Sequence, residues 1–264
     1  ARRQPGSGFK PFLYSCALEH DFTPASIIMD APVVMAEGGV EQVWRPKNDS
    51  GTSSGPTRLR EALVHSRNLV SIRLLRAVGT DTVLDYAARF GFDRSTMPNN
   101  LTLALGTLPA TPLEVATGYS TFANGGYKVD PYFIERIENA QGETVWRAAP
   151  REVCESCPDD AMVPAADDVA PALPPGVSPL DPTPPPDPPS TNLLTMAPPL
   201  ALQLPPLSAT TRRAPRVIGA ANAWLMDNIM GDVIKRGTGI RARVLGREDI
   251  SGKTGTTDES RDTW

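Results

Sequence analysis

Five lysines, three cysteines and two histidines are all that 264 residues contain. A structural zinc normally wants four ligands, and neither histidine, His20 or His65, stands at a spacing that completes a set with the cysteines, so no metal site is expected. Cys16 is alone in an apolar run. Cys154 and Cys157 form one C-x-x-C in VCESCPDD, a spacing that supplies half a zinc site or closes a small local disulfide where the compartment is oxidising. No excess of one charge sign is present: 26 basic residues face 30 acidic ones, a net −4. No basic run or basic helix face is there to track phosphates or an anionic membrane, which argues against a nucleic-acid partner. Long hydrophobic runs are lacking too. SIIM, interrupted by Asp30, and then APVVMA stop well short of the ~18 residues of a membrane span, so the chain does not cross a bilayer by itself. It also opens on ARRQPG, without an initiator Met or an apolar signal core, which reads as processing or truncation.

Proline is abundant by contrast. Seventeen of 28 prolines fall between Pro158 and Pro215, including PTPPPDPP, with no hydrophobic period around them. Such a stretch buries too little apolar surface to offset its ordering entropy and reads as a disordered or polyproline-like insertion. The chain therefore divides into residues 1–149, an insertion over 150–215, and 216–264. With 40% hydrophobic residues the outer blocks can hold an ordinary soluble core.

The first block reads as mostly helical. Thr57-Arg-Leu-Arg-Glu-Ala-Leu marks one helix start, and Asn68 to Val78 carries apolar residues at Leu69, Ile72, Leu75 and Ala77 before Gly79 stops it. TDTVLDYAARFGF follows with Thr80 or Asp81 as cap and Gly91 as stop. In TPLEVATGYSTFANGG, Thr111 caps, Pro112 takes the first helical position, Glu114 completes a capping box, and Asn124-Gly125 ends the helix. PYFIERIENAQGETVW reads as a strand pair turning at Ala140 to Gly142. In the last block ANAWLMDNIMGDVIKR is a helix, Gly237-Thr-Gly239 breaks it, and EDISGKTGTT reads as a strand.

Two of the five lysines stand in candidate motifs. In QPGSGFKPF, a helix capped by Ser7 places Lys10 one turn later on the same face, an amine beside a hydroxyl. Pro11 is no obstacle in a first turn. The helix N-terminus supplies donors for a developing oxyanion, and a desolvated neutral lysine is a base able to activate a serine. Taken alone, S-x-x-K reads equally as a helix cap followed by a surface lysine. Ser66-Arg67-Asn68 stands at the join of two helical segments, where a hydroxyl and an amide can face a cleft. A second Ser-x-Asn, Ser190 to Asn192, lies in the proline-rich stretch. Lys253-Thr254-Gly255-Thr256 lies on the last strand, where alternation sends Lys253 and Gly255 to one face and Thr254 and Thr256 to the other.

Ser-x-x-Lys, Ser-x-Asn and Lys-Thr-Gly in this order are the motif set of penicillin-binding proteins and class A β-lactamases. RQPGSGFKPF, WRPKN, GPTRLREALVHSRNLVSIRLL, TPLEVATGYSTFANGG, VIKRGTG and SGKTGTTDESRDTW resemble class A penicillin-binding proteins, the type 1A kind above all, over nearly everything outside Cys154 to Pro215. The resemblance implies an α+β fold, a helical cluster on a central antiparallel sheet, with residues 1–149 and 216–264 as parts of one transpeptidase domain whose outer strands lie outside this chain. It implies Ser7 as the acylated nucleophile on a D-Ala-D-Ala stem peptide, Lys10 as its base and Ser66 as a proton relay to the leaving group. Asn68 would hold the substrate backbone or Lys10. Lys253 would supply positive charge and help keep Lys10 neutral; Thr254 and Thr256 would bind the substrate carboxylate beside Gly255, and the N–H groups of Ser7 and Thr256 would form the oxyanion hole. An amine of a neighbouring strand would complete the cross-link, and a β-lactam would stall the enzyme as an acyl-enzyme. No cofactor is implied.

The proline-rich insertion has no place in that chemistry and reads as a tolerated surface loop or a partner-binding tail. The family's glycosyltransferase domain and membrane anchor, which would hold the parent protein at the periplasmic face of the inner membrane, are not in these residues. The chain reads as a fragment expected to fold poorly and to be inactive by itself. Three other readings share Ser7: a serine β-lactamase, although no E-x-x-L-N lies between Asn68 and Lys253; a β-lactam sensor that acylates without turnover; and a scaffold in which Ser7 merely caps a helix.

Overall fold

KPFLYSCAL forms α1 (Lys10–Leu18), and every residue from Lys10 to Ala17 is buried in the computed structural model. A helix that is apolar around its whole circumference belongs at the centre of a core, and the other helices surround this one. The structure describes residues 1–36, 43–153, 213–257 and 263–264. The chain divides into two units, the first made of residues 1–132, 149–164 and 211–264, the second of 133–148 and 165–210. The two outer sequence blocks thus contribute to one unit.

Within the first unit, α2 (Leu59–Val64), α3 (Asn68–Val78), α4 (Thr80–Arg89) and α6 (Ala220–Arg236) lie against α1, while α5 (Pro112–Ala123) lies against α6. The buried residues of α6 are Asn222, Ala223, Met226, Ile229, Met230, Gly231, Val233 and Ile234, a stripe at the helical repeat that accounts for its packing. Phe12 gathers the aromatic side chains: Phe90, Phe92 and Tyr119 meet it edge-on, with ring centroids 5.1, 4.9 and 5.5 Å away. α5 approaches so closely that a Cβ on Gly118 would stand 2.8 Å from the Phe12 ring. A buried polar knot joins the distant parts of the sequence: Ser15 Oγ donates to Asn222 Oδ1 at 2.9 Å and shares a 2.7 Å hydrogen bond with the Tyr86 hydroxyl.

Helix ends follow the sequence closely. α3 spans the expected residues and stops at Gly79, and α5 carries the full Thr111–Glu114 capping box before ending at Asn124. The expected helix start at Thr57 is displaced. Gly55–Arg58 forms β4, paired antiparallel with β1 (Ile27–Asp30), so that Ile27 faces Arg58 and Asp30 faces Gly55, and α2 begins only at Leu59. Pro56 is tolerated because an edge strand does not need every ladder donor. Neither Thr80 nor Asp81 caps α4; Gly79 occupies the cap position, with no side-chain bond. β2 (Met35–Ala36) and β3 (Val43–Trp44) form a second short ribbon.

The larger departure is at 251–257. That segment forms an isolated antiparallel bridge, Thr256 with Thr263, and belongs to no named strand, because among the described residues Thr263 and Trp264 are its only ladder partners. Its side chains still alternate: Lys253 and Gly255 are buried, Thr256 is exposed and Thr254 is between. Residues 240–245, left unassigned by the sequence reading, form a 3-10 helix. The second unit is described through one hairpin, β5 (Arg136–Glu138) with β6 (Thr144–Arg147), turning where expected. Cys154, Cys157 and the Ser190–Asn192 pair lie outside the described residues. No described helix is long and apolar enough to cross a membrane.

Candidate active site

Ser7 does not cap a helix. It sits within a 3-10 turn, Gly6–Phe9, whose cap position is Pro5 and which feeds directly into α1. The hydroxyl is therefore not committed to a cap, and the Ser7 N–H lies in a first turn, where an N–H has no acceptor within the helix. The turn is pressed against the third motif. Gly6 has φ +54°, and a Cβ there would meet the Thr256 carbonyl oxygen at 2.4 Å; a Cβ on Gly255 would meet the Pro5 carbonyl oxygen at 2.3 Å. Only glycine at both positions lets the two backbones approach this far.

Lys10 enters α1 fully buried, and its side-chain nitrogen is held by the second motif. Nζ donates to Asn68 Oδ1 at 2.6 Å, to the Ser66 carbonyl at 2.9 Å and to Ser66 Oγ at 3.2 Å. None of these three bonds is to Ser7, which lies one turn earlier in the cleft wall. Burial above all, and then the charge of Lys253, holds the Lys10 pKa well below that of an ordinary lysine, while Asp49 pulls the other way. This shift favours the neutral amine, the form able to act as a base. Ser66 adopts φ +54°, a left-handed conformation that a residue with a side chain seldom takes, in the tight turn between α2 and α3. That turn points both its carbonyl and its hydroxyl at Lys10. Asn68, at the first position of α3, is engaged at both ends of its amide, since Nδ2 donates to the Lys47 carbonyl at 2.9 Å. Of the two roles expected for it, holding Lys10 is the one this geometry favours.

Lys253 is buried, and its Nζ donates to the Thr254 carbonyl at 2.7 Å. Burial lowers its pKa to about 7, again against an opposing pull from Asp49. Thr254 Oγ1 shares a 2.6 Å hydrogen bond with Thr238 Oγ1 from the glycine break after α6. Gly255 and Trp264 exchange both backbone bonds at 2.9 Å, so the next pair, Thr256 with Thr263, is a non-bonded one. The Thr256 N–H is thereby directed to the other edge of its segment, away from Thr263.

These groups line one cleft of about 660 Å³, with Ser7, Ser66, Lys253, Thr254, Gly255 and Thr256 on its walls. Lys10 and Asn68 lie behind that wall. Asp49, Thr238 and Arg241 also reach the cleft, and the sequence reading had not singled them out. Thr238 was visible only as the middle of a glycine break, and no sequence signal marked Asp49. Among the described residues no three His, Cys, Asp or Glu side chains come together as a metal site.

Comparisons with known proteins bear on the family and the fold. The family described as "Penicillin binding protein transpeptidase domain" matches residues 1–154. The chain is 45% identical to penicillin-binding protein 1A of Pseudomonas aeruginosa over 270 residues, covering all of this chain and 31% of that protein. It is 38% identical to penicillin-binding protein 1A of Neisseria lactamica, covering 26% of that protein, so it spans about a quarter to a third of the length of these relatives. Among solved structures, penicillin-binding protein 1A from Haemophilus influenzae superposes with a TM-score of 0.78 at 31% identity, over all of this chain and 36% of that one. Penicillin-binding protein A from M. tuberculosis, solved as an imipenem acyl-enzyme complex, shares the fold at 18% identity, with a TM-score of 0.63 over 97% of this chain and 49% of that one. A motif set gathered into one cleft, a family match over more than half the chain and the shared fold lead to one conclusion: the chain belongs to the transpeptidase-domain family of the penicillin-binding proteins.

Proposed function

We propose that the chain carries the acyl-transfer site of a serine D-Ala-D-Ala transpeptidase that cross-links peptidoglycan stem peptides. The observation that carries this reading is the buried Lys10 amine, its pKa depressed, seated by Ser66 and Asn68 behind a cleft in which Ser7 and Lys253 face the same space. In the first step the Ser7 hydroxyl transfers its proton to neutral Lys10 as Oγ bonds to the penultimate carbonyl carbon of the donor. The hydrogen bond between Lys10 and Ser7 that this transfer needs forms on substrate binding, since acid–base contacts tighten only in the substrate complex. The N–H groups of Ser7 and Thr256 receive the oxyanion, and Lys253, with the Thr254 and Thr256 hydroxyls, receives the terminal carboxylate.

Collapse of the tetrahedral intermediate breaks the C–N bond. The departing D-Ala amine takes a proton from Lys10 through Ser66 Oγ, which is 3.2 Å from Nζ and lines the cleft. The acceptor amine then attacks the ester, delivers its proton back along the same path and releases Ser7. A β-lactam enters the first half of this cycle and remains bound at the ester. The parent protein, by likeness to the penicillin-binding proteins 1A, would join this site to a glycan-polymerising domain and hold it at the periplasmic face of the inner membrane.

The test is to label the full-length protein with a fluorescent penicillin, compare Ser7→Ala, and then offer a stem peptide with an acceptor amine. Stable label at Ser7 and a cross-linked product are expected. Label that is lost rapidly would indicate a β-lactamase; stable label without a cross-link would indicate a sensor.

A further inference from the structure

α3 begins with a difficulty. Its cap position is held by Arg67, whose side chain makes no capping bond, so the first N–H groups of the helix need another acceptor. Asn48, twenty residues earlier, supplies it: its Oδ1 accepts from Asn68 N at 2.8 Å and from Leu69 N at 3.3 Å. The neighbouring Lys47 carbonyl takes the Asn68 side-chain amide, so two adjacent residues of one loop grip Asn68 by backbone and by side chain.

The loop is itself anchored. Asn48 Nδ2 donates to Asp30 Oδ1 and to the Thr52 carbonyl, each at 2.8 Å, and these bonds fix which end of the amide faces α3. Asp30, at the end of β1, is 0% exposed; its Oδ2 accepts from Ser54 N at 2.9 Å and stands 3.8 Å from Arg67 Nε. A fully buried carboxylate is kept only where donors satisfy it, and these donors tie β1, the 48–54 loop and the Ser-x-Asn turn into one unit. Arg67 Nη1 also donates to Ser50 Oγ at 3.2 Å, so the middle residue of the second motif braces the loop.

We propose that Asn48, locked by Asp30, is a positioning residue of this site: it seats Asn68, and through Asn68 the Lys10 amine, in the geometry acylation requires. The inference rests on the acyl-transfer reading above. Asn48 does not line the cleft, so it acts on the reacting atoms only through Asn68. A misplacement of about 1 Å in such a support costs on the order of 100-fold in rate.

The experiment uses the full-length protein and the kinetics of fluorescent-penicillin binding, resolved into non-covalent affinity and the acylation rate constant. Labelling of the natural protein, absent in Ser7→Ala, first establishes the reading itself; its failure there is a failure of that reading and precedes any variant of Asn48. Asn48→Ala is then expected to lower the acylation rate constant about 10- to 100-fold, with non-covalent affinity changed less than about twofold, since no substrate contact is removed. Asn48→Asp sets a carboxylate against Asp30 and loses rate as well. The exchange Asp30→Asn with Asn48→Asp restores one amide facing one carboxylate, and should raise the rate about fivefold or more above Asn48→Asp. Recovery stays partial, because Thr52 loses its donor. A folded Asn48→Ala protein that acylates at the natural rate overturns the proposal. If Asn48→Ala does not fold, an exchange variant that folds yet acylates no faster than Asn48→Asp overturns it equally.

Discussion

Two lysines with lowered pKa values have opposite work in the proposed reaction, and their proton balance should set its pH range. In that proposal Lys10 serves when neutral, the form that burial and the charge of Lys253 favour. Lys253 serves when charged, yet burial lowers its pKa to about 7 in the free protein. The second-order acylation constant reports free-enzyme groups. It should fall through about pH 7, on an alkaline limb, as Lys253 loses its charge and the donor carboxylate its partner. Lys253→Arg cannot lose its charge in this range, so its profile should lack the alkaline limb; a limb that stays near pH 7 in that variant would remove Lys253 from the role. Ser7, Lys10, Ser66 and Asn68 could be read from the sequence because short, fixed spacings join them on one helix or across one turn. Asn48, Asp49 and Thr238 could not. Each meets the site through the fold alone, and a polar residue in a loop looks the same whether it faces water or a buried aspartate.

At the scale of elements, the site is held by contact between backbones as much as between side chains. The 5–8 turn and the 255–256 segment meet where neither side has room for a methyl group. Gly255→Ala would drive its Cβ to 2.3 Å from the Pro5 carbonyl, so the segments must part. Since the proposed oxyanion donors come one from each, acylation should fall on the order of 100-fold. Gly125→Ala, at a position with open space but φ +80°, should cost stability and leave acylation unchanged. Equal acylation in both variants would mean that the contact does not position the site. Thr111→Ala removes the capping box of α5 and should lower stability by about 1 kcal/mol without touching the acylation rate. Helices were legible because a buried stripe repeats every three to four residues and Gly79, Asn124 and Gly237 mark their ends. Of the described strands, the β5–β6 hairpin was legible and the β1–β4 pair was not. β1 and β4 are four residues each, one carries Pro56, and their pairing joins residues far apart in the sequence.

Across the whole first unit, burying two lysines leaves a pH signature in stability. Each folded pKa lies below the ordinary 10.5, so between the two values the unfolded chain binds more protons, and stability should increase as pH rises from about 7. Cys16, pushed up to about 12 from 9.0, acts in the other direction above pH 9. The rise is therefore sought between pH 7 and 8.5, as the urea concentration that halves penicillin labelling of the full-length protein, and Lys253→Met should flatten it. A midpoint that falls over that interval would contradict the burial of these amines. The described extended segments form two-stranded ribbons, which are marginal by themselves in water, and among the described residues 251–257 is bridged only to Thr263 and Trp264. This 264-residue chain alone should accordingly be labelled far more slowly than the full-length protein. The central claim is that Ser7, activated by Lys10, is the nucleophile, and mass spectrometry of the penicillin-treated full-length protein tests it most directly. The account predicts one penicilloyl group on the peptide containing Ser7, lost in Ser7→Ala and strongly slowed in Lys10→Met. Adduct at another residue, or undiminished labelling of Ser7→Ala, would contradict it.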